Sequence, residues 1–291
     1  MNINDIRQEM ALLTDVVPLE GPRYAACLHT YESASNQREL ILGWFTEHVI
    51  PKLSTDSTSL LSVGCGAGEL DIDILAAGKE HTSNISYVGL EPDPRQCEKF
   101  VSSMDLANEQ HILIEGHNTR FENYTEERRF DLVIMVHSLY YMDNPVEAIA
   151  NALNLLSDIG KLVILIASND TLNELSSSFW DMENSGSTWF SEDLSTHLIN
   201  RGIAFDCKRI EATLDVTTCC EPSSEFEIEK GRRIADFVAQ VPTGELPQQL
   251  RQMIFSYLEA TSQRDGDTRW LPHNVDAFTI HTCQTDLASA A

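Results

Sequence analysis

Five short apolar runs, at residues 59–63, 85–90, 111–115, 130–136 and 161–167, recur through the middle of the chain with stretches of helical length between most of them. Runs that stay apolar, instead of alternating with polar residues, are what strands buried on both faces look like, and strands spaced by one helix form βαβ units. The pattern predicts one parallel sheet with helices on both faces. Ahead of it, residues 1–20 read as an amphipathic helix ending near Pro18, and residues 37–50 as a second helix stopped by Pro51. Between the fourth and fifth runs, Asp143-Asn144-Pro145-Val146-Glu147 puts a polar cap, a first-turn proline and an early carboxylate ahead of AIANALNLL. This predicts a helix that Asp158-Ile159-Gly160 ends. Beyond residue 170 the alternation loosens. Residues 217–269 form a long excursion with helical pieces at IADFVAQ and LPQQLRQMIFSYLEA, and excursions of that length serve more often as lids or binding elements than as plain connections.

The chain has 291 residues, 42% hydrophobic and 22% charged, enough for one large core or one core plus a small cap. No stretch approaches 18 apolar residues in a row, and the start, MNINDIRQEM, has neither a basic leader nor an apolar segment, so a cytoplasmic protein without a membrane span is expected. A monomer is the default. The net charge of -25 would repel nucleic acid and anionic membrane and draw in cations, which suits a cationic small substrate; acidic residues also simply keep a protein soluble. Seven scattered cysteines (Cys27, Cys65, Cys97, Cys207, Cys219, Cys220, Cys283) show no CxxC spacing, and the histidines show no metal-ligand spacing, so neither disulfides nor a metal is expected.

The first apolar run breaks directly into glycines, in LLSVGCGAGELD. Missing Cβ atoms at Gly64, Gly66 and Gly68, on a strand that opens into a helix, let a nucleotide-type ligand lie against the backbone with the helix amides facing it. A dinucleotide fingerprint needs G-x-G-x-x-G, and Glu69 stands where its third glycine would fall; no Gly-Lys-Ser/Thr follows, so a P-loop is excluded. The pattern favours S-adenosylmethionine. The second strand ends at Glu91-Pro92, one βα unit later, placing a carboxylate where it can accept two hydrogen bonds from a ribose diol.

Through Gly64-Cys65-Gly66-Ala67-Gly68-Glu69-Leu70-Asp71, Glu91-Pro92 with Gln96, Phe130-Asp131 leading to Leu139-Tyr140-Tyr141, and Leu271-Pro272-His273-Asn274, the chain resembles the class I S-adenosylmethionine-dependent methyltransferases. More narrowly, it is similar to the histamine N-methyltransferase family. The resemblance implies a Rossmann-like, doubly wound, mostly parallel seven-stranded sheet with N-terminal helices and a small inserted cap. It implies one methyltransferase domain over 1–291: a helical cover at 1–55, a cofactor-binding core at 56–215, an inserted cap and substrate region at 216–270, and a final strand and tail at 271–291.

Carried over by position, the resemblance implies that Gly64, Cys65, Gly66 and Gly68 line S-adenosylmethionine, that Glu91 with Pro92 holds its ribose, and that Gln96 approaches the same moiety. Asn118 and Thr119 would sit near the adenine, and Val136 and His137 where the fourth strand opens onto the reacting methyl group. On the acceptor side it implies Tyr24, Leu28, Gln37, His137, Tyr140, Tyr141, Trp180, Trp189, Phe190 and Asn274, with His137, Tyr141 and Asn274 closest to the chemistry. Aromatic residues suit a flat ring or a cation. The chain departs from the family in two places: Asn36 and Gln37 stand near where the family has a glutamate for the substrate amine, and His137 replaces its glutamine three residues before the Tyr-Tyr pair.

The expected activity is methyl transfer to a small imidazole or amine nitrogen. A metabolite or natural-product methyltransferase with another acceptor, and an inactive S-adenosylmethionine-binding protein, are the alternatives. The reaction is an in-line displacement that needs no metal, and alignment of the reactants supplies roughly 7 to 11 kcal/mol in favourable cases. A neutral imidazole already offers a lone pair near pH 7. A primary amine must first lose a proton, and a histidine with an ordinary pKa of about 6.5 is suited to take it. His137 is thus either a base or a neutral ring that positions the acceptor.

Overall fold

A computed structural model describes residues 2–13, 16–105, 111–183 and 188–281, with the side chains of 180–183 excepted. Seven strands form one sheet: β1 (Ser57–Val63), β2 (Asn84–Leu90), β3 (Ile112–His117), β4 (Phe130–Val136), β5 (Leu156–Ala167), β6 (Phe205–Ile210) and β10 (Val275–His281), in the order β3-β2-β1-β4-β5-β10-β6. The first five pair in parallel, with Leu60 opposite both Tyr87 and Leu132 and Val63 opposite Leu90. This is the mostly parallel, doubly wound, seven-stranded sheet that the family resemblance implies. The strand order reverses between β1 and β4, the switch point beyond whose carboxyl ends such sheets bind ligands. Three further strands, β7 (Thr213–Asp215), β8 (Gln263–Asp265) and β9 (Thr268–Pro272), make a small antiparallel sheet in the order β7-β9-β8.

The chain divides into two compact units. One holds the large sheet and comprises Ile41–Ile166, Trp189–Ile210 and the chain from Asp276; the other comprises Met1–Leu40, Ala167–Thr188 and Glu211–Val275. These boundaries differ from the four sequence segments: 216–270 is only part of the smaller unit, because Ile3, Ile6 and Met10 share its core with Leu175, Phe179, Ile234, Val238, Ile254 and Leu258. In the sheet unit, Leu61, Val63, Val133, Met135, Leu162 and Ile164 pack with Ala148, Ile149, Leu194 and Leu198. Strands read as apolar throughout because both sheet faces are covered.

Some local expectations need correction. The helix expected over 1–20 is Ile3–Met10, capped by Asn2, and a separate helix follows at Gly21–Ser33 with its proline in the first turn. The helix expected over 37–50 is α-helical for Gln37–Trp44, widens into a π turn at Phe45–Val49, and tightens at Ile50–Lys52, where Pro51 brings no N–H. The helix after Asn144 starts as predicted but ends at Asn154, and β5 begins at Leu156. Phe130 pairs with Leu156 and Leu132 with Lys161, so extra residues bulge from β5. Gly160 lies in that bulge, where a Cβ would stand 2.7 Å from the Phe130 carbonyl oxygen.

Among the described residues no helix is long and apolar enough to cross a membrane, and no group of three or more His, Cys, Asp or Glu is placed to hold a metal. Cys283 and the Trp180 side chain lie outside the described residues.

Candidate functional site

The turn after β1 is left-handed at all three glycines, with φ of +71° at Gly64, +57° at Gly66 and +77° at Gly68. The N–H groups of Gly64 and Cys65 both donate to the Leu90 carbonyl, at 2.8 and 3.1 Å, which ties the turn to the end of β2. Gly68 then N-caps the helix Glu69–Lys79 without a side chain. The glycines differ in what surrounds them. A Cβ at Gly64 would stand 2.6 Å from Ser138 Cβ and one at Gly68 2.7 Å from the Phe100 ring, but a Cβ at Gly66 would meet nothing within 4 Å. Gly66 is therefore where the backbone is bare toward open space, and the other two are bare because protein fills the space. Cys65 is half-buried, and burial pushes its thiol well above the usual range, so it is no nucleophile.

Glu91 stands beside this opening. Its Oε2 accepts the Gly66 N–H at 3.0 Å and its Oε1 accepts the Asp93 N–H at 2.8 Å, which fixes the carboxylate and leaves a lone pair on each oxygen. Burial pushes its carboxyl up, while the two N–H groups pull it back. The Asn118 amide donates to the carbonyls of Glu91 (3.0 Å) and Pro92 (2.9 Å), bracing that strand end and leaving its own oxygen for a ligand. The Thr119 hydroxyl donates to the Arg120 carbonyl. On the helix Pro94–Asp105, Gln96 Oε1 is buried without a hydrogen-bond partner. A buried orphan acceptor calls for a donor from outside the protein, and a ribose or amino group supplies one. An open glycine, a fixed carboxylate and an unpaired amide oxygen together fit an adenosyl compound.

At the exit of β4, Val136 is half-buried and His137 takes a left-handed φ of +50°, with its N–H donating to the Leu165 carbonyl at 3.0 Å. Its Nδ1 is hydrogen-bonded to the Tyr140 hydroxyl at 3.1 Å, and the two rings lie nearly parallel at 15°. Burial pushes His137 down to about 4, so the ring is neutral at pH 7. Tyr140 packs on the sheet core and meets Tyr141 edge-on at 6.2 Å, and Tyr141 is 52% exposed. Ser138, which the sequence reading passed over, is 5% exposed and packs against Gly64; its signal was its place directly after His137.

The remaining expected acceptor residues are divided between the units. In the sheet unit, Trp189 packs on the core with its ring tilted against His197, and Phe190 is buried where it precedes the helix Ser191–Asn200; both support the core. In the smaller unit, Tyr24 and Leu28 lie four apart on the helix Gly21–Ser33, and Tyr24 and Tyr31 both rest on the Phe237 ring. Gln37 is 7% exposed and donates to the His273 carbonyl at 2.7 Å, so it braces the loop that presents Asn274. His273 is itself held by Tyr31 (2.5 Å) and Ser35 (2.8 Å). Neither Tyr31 nor Ser35 figured in the sequence reading, because nothing in local spacing joins them to a residue more than two hundred positions away.

Comparisons with known proteins give the family and the fold. The profile of a family described as a methyltransferase domain matches residues 30–202. Histamine N-methyltransferase of Cavia porcellus is 24% identical over 204 residues, covering 64% of this chain and 68% of that protein. That of Danio rerio is 22% identical over 271 residues, covering 84% and 91%. Among solved structures, the YcgJ protein of Bacillus subtilis superposes with a TM-score of 0.54 at 11% identity, over 82% of this chain and 97% of that one. The plantazolicin methyltransferase BpumL in complex with SAH superposes with a TM-score of 0.50 at 14% identity, over 96% and 97%. With the family profile matched over more than half of its length, the chain belongs to the methyltransferase-domain family and is a methyltransferase.

Proposed function

We propose that this enzyme methylates a ring nitrogen of a small, positively charged imidazole compound; histamine, the acceptor in its relatives' name, is a compound of that kind. The methyl donor is S-adenosylmethionine, which supplies an electrophilic methyl group when bound. Gly66 gives the donor access to the backbone, Glu91 is the acceptor for its ribose hydroxyls, and Gln96 Oε1 takes a further hydrogen bond. Monomeric state and cytoplasmic location belong to the same reading.

The observation that carries the choice of acceptor is the neutral His137 ring clasped to Tyr140 at the exit of β4. A primary ammonium has a pKa of about 10, so a ring that titrates at about 4 is roughly six units too weak to take its proton. An imidazole acceptor has no such need: one nitrogen attacks with its lone pair, and the proton on the other leaves to water afterwards. His137 then acts by orientation, through its ring and Tyr140.

The test is methyl transfer to histamine, to imidazoles without the amine, to alkylamines without the ring, and to phenols, with the methylated atom located by mass spectrometry. Ring-nitrogen products are expected. Transfer to the alkylamine nitrogen or to phenols alone would refute the proposal. The variant His137→Gln is expected to raise the acceptor's KM while leaving the shape of the pH–rate profile unchanged. A profile that loses a limb near pH 6 to 7 in that variant would mean His137 is a base after all.

The net charge of -25 provides a second check. For a cationic acceptor, kcat/KM is expected to fall as salt rises from low to physiological concentration, because screening shortens the reach of the acidic surface. A neutral imidazole is expected to show little change.

A further inference from the structure

Beneath the glycine turn lies a buried carboxylate that no step above employs. Asp71, the third residue of the helix Glu69–Lys79, is 5% exposed. Its Oδ1 accepts the Tyr87 hydroxyl at 2.8 Å, and the Ser62 side chain bonds it as well. Tyr87 and Ser62 are themselves buried. Burial pushes the Asp71 carboxyl up, and the two hydroxyls and its own backbone N–H pull it back.

The three residues belong to the three elements that enclose the turn. Ser62 is in β1, two residues before Gly64. Tyr87 is in β2, two residues before Gly89, where a Cβ would stand 2.9 Å from Cys65 Sγ in the turn. Asp71 follows Gly68, the cap that brings no side chain of its own to hold the helix start. The carboxylate is close enough to raise the Cys65 thiol.

We infer that Asp71 is a positioning residue for the methyl donor: clasped by Ser62 and Tyr87, it holds the Gly64–Gly68 turn in its ligand-ready shape against the ends of β1 and β2. A turn with three glycines in five residues has more backbone freedom than one built of residues with a Cβ. Ordering it only when ligand arrives would subtract from affinity, so a prior clasp raises affinity without touching the ligand. Tyr87 and Ser62 both donate to Asp71, so the arrangement calls for a side chain that accepts two hydrogen bonds.

This inference rests on the cofactor reading, and calorimetric titration of the full chain with S-adenosylhomocysteine, beside thermal melts, separates the two. Asp71→Asn keeps the shape but removes the charge and replaces one of the two accepting oxygens with a donating amide, and is expected to weaken binding about tenfold or more. Tyr87→Phe removes one donor, keeps the packed ring, and is expected to weaken binding a few-fold; it carries the test if Asp71→Asn fails to fold. Ile149→Val, a trimmed core residue on the helix Pro145–Asn154, is the control, expected to lower Tm with affinity unchanged. In the clasp variants the donor's KM should rise while the acceptor's stays fixed. Melts that shift while S-adenosylhomocysteine affinity stays at the wild-type value would overturn the role of Asp71 alone. A folded wild-type chain that binds no S-adenosylhomocysteine would overturn the cofactor reading and this inference together.

Discussion

Glu91→Ala weakens S-adenosylhomocysteine binding by about a hundredfold, since it removes two charge-assisted hydrogen bonds worth about 3 kcal/mol together. The protein stays folded. The residue lies at a strand end, half-buried, and makes its protein contacts to the N–H groups of Gly66 and Asp93 on the open side of the turn. Glu91→Gln is expected to be nearly as damaging to binding, because its amide can accept at only one atom and turns hydrogens toward the N–H of Gly66 or Asp93. The pH dependence has a definite sign. Burial raises the Glu91 carboxyl in the folded chain, so the proton returns at a higher pH than for an ordinary glutamate. Affinity for the adenosyl ligand therefore falls as pH drops through that raised value. The contribution of Glu91 to folding runs the other way: it is fully present below the unfolded pKa and is lost as pH rises through the folded one. Across the acid range the wild-type affinity should fall as pH drops, while the melting temperature of wild type relative to Glu91→Ala rises, since the other titrating carboxylates cancel in that difference. Unchanged affinity in the alanine variant would show that the carboxylate does not hold the ligand.

The parts of this fold legible in the sequence are those set by short-range rules. Parallel strands buried on both faces leave unbroken apolar runs, and every one of the five central strands was placed within a few residues, apart from the early start of β5. The bulge at Gly160 was misread as a helix stop because a glycine at a helix end and a glycine in a bulge look the same in one dimension. The glycine turn and Glu91 were legible because adjacent βα units bring them together by topology alone. The smaller unit was not, since its core joins residues 3–10 to 172–179, 234–241 and 250–258, and no local pattern records which distant helices share a face. Phe190 was singled out for its aromatic ring, and the ring is in fact buried beside the start of a helix. His137 stands out in the sequence as a departure from the family pattern, but its neutrality comes from burial, which only the folded chain brings about.

The three glycines separate folding from binding, and the separation yields the second large effect. In Gly64→Ala the new methyl group would stand 2.6 Å from Ser138 Cβ at a residue whose φ is +71°. Left-handed strain and overpacking together are expected to destabilise that variant by about 3 kcal/mol. In Gly66→Ala the φ of +57° carries a similar strain of about 1 kcal/mol, but the methyl group points into open space and overpacks nothing. Its cost in stability is therefore small and its cost in binding large, since the methyl group occupies the space where the adenosyl compound meets the backbone: about a hundredfold loss of S-adenosylhomocysteine affinity is expected. Melting and titration of the two variants should thus give opposite rankings. Adding Ser138→Gly to Gly64→Ala removes the colliding Cβ and should return most of the overpacking share, a coupling that a double-mutant cycle measures directly. If Gly66→Ala binds as tightly as wild type, the opening at Gly66 is not where the ligand lies, and the donor must approach the sheet elsewhere.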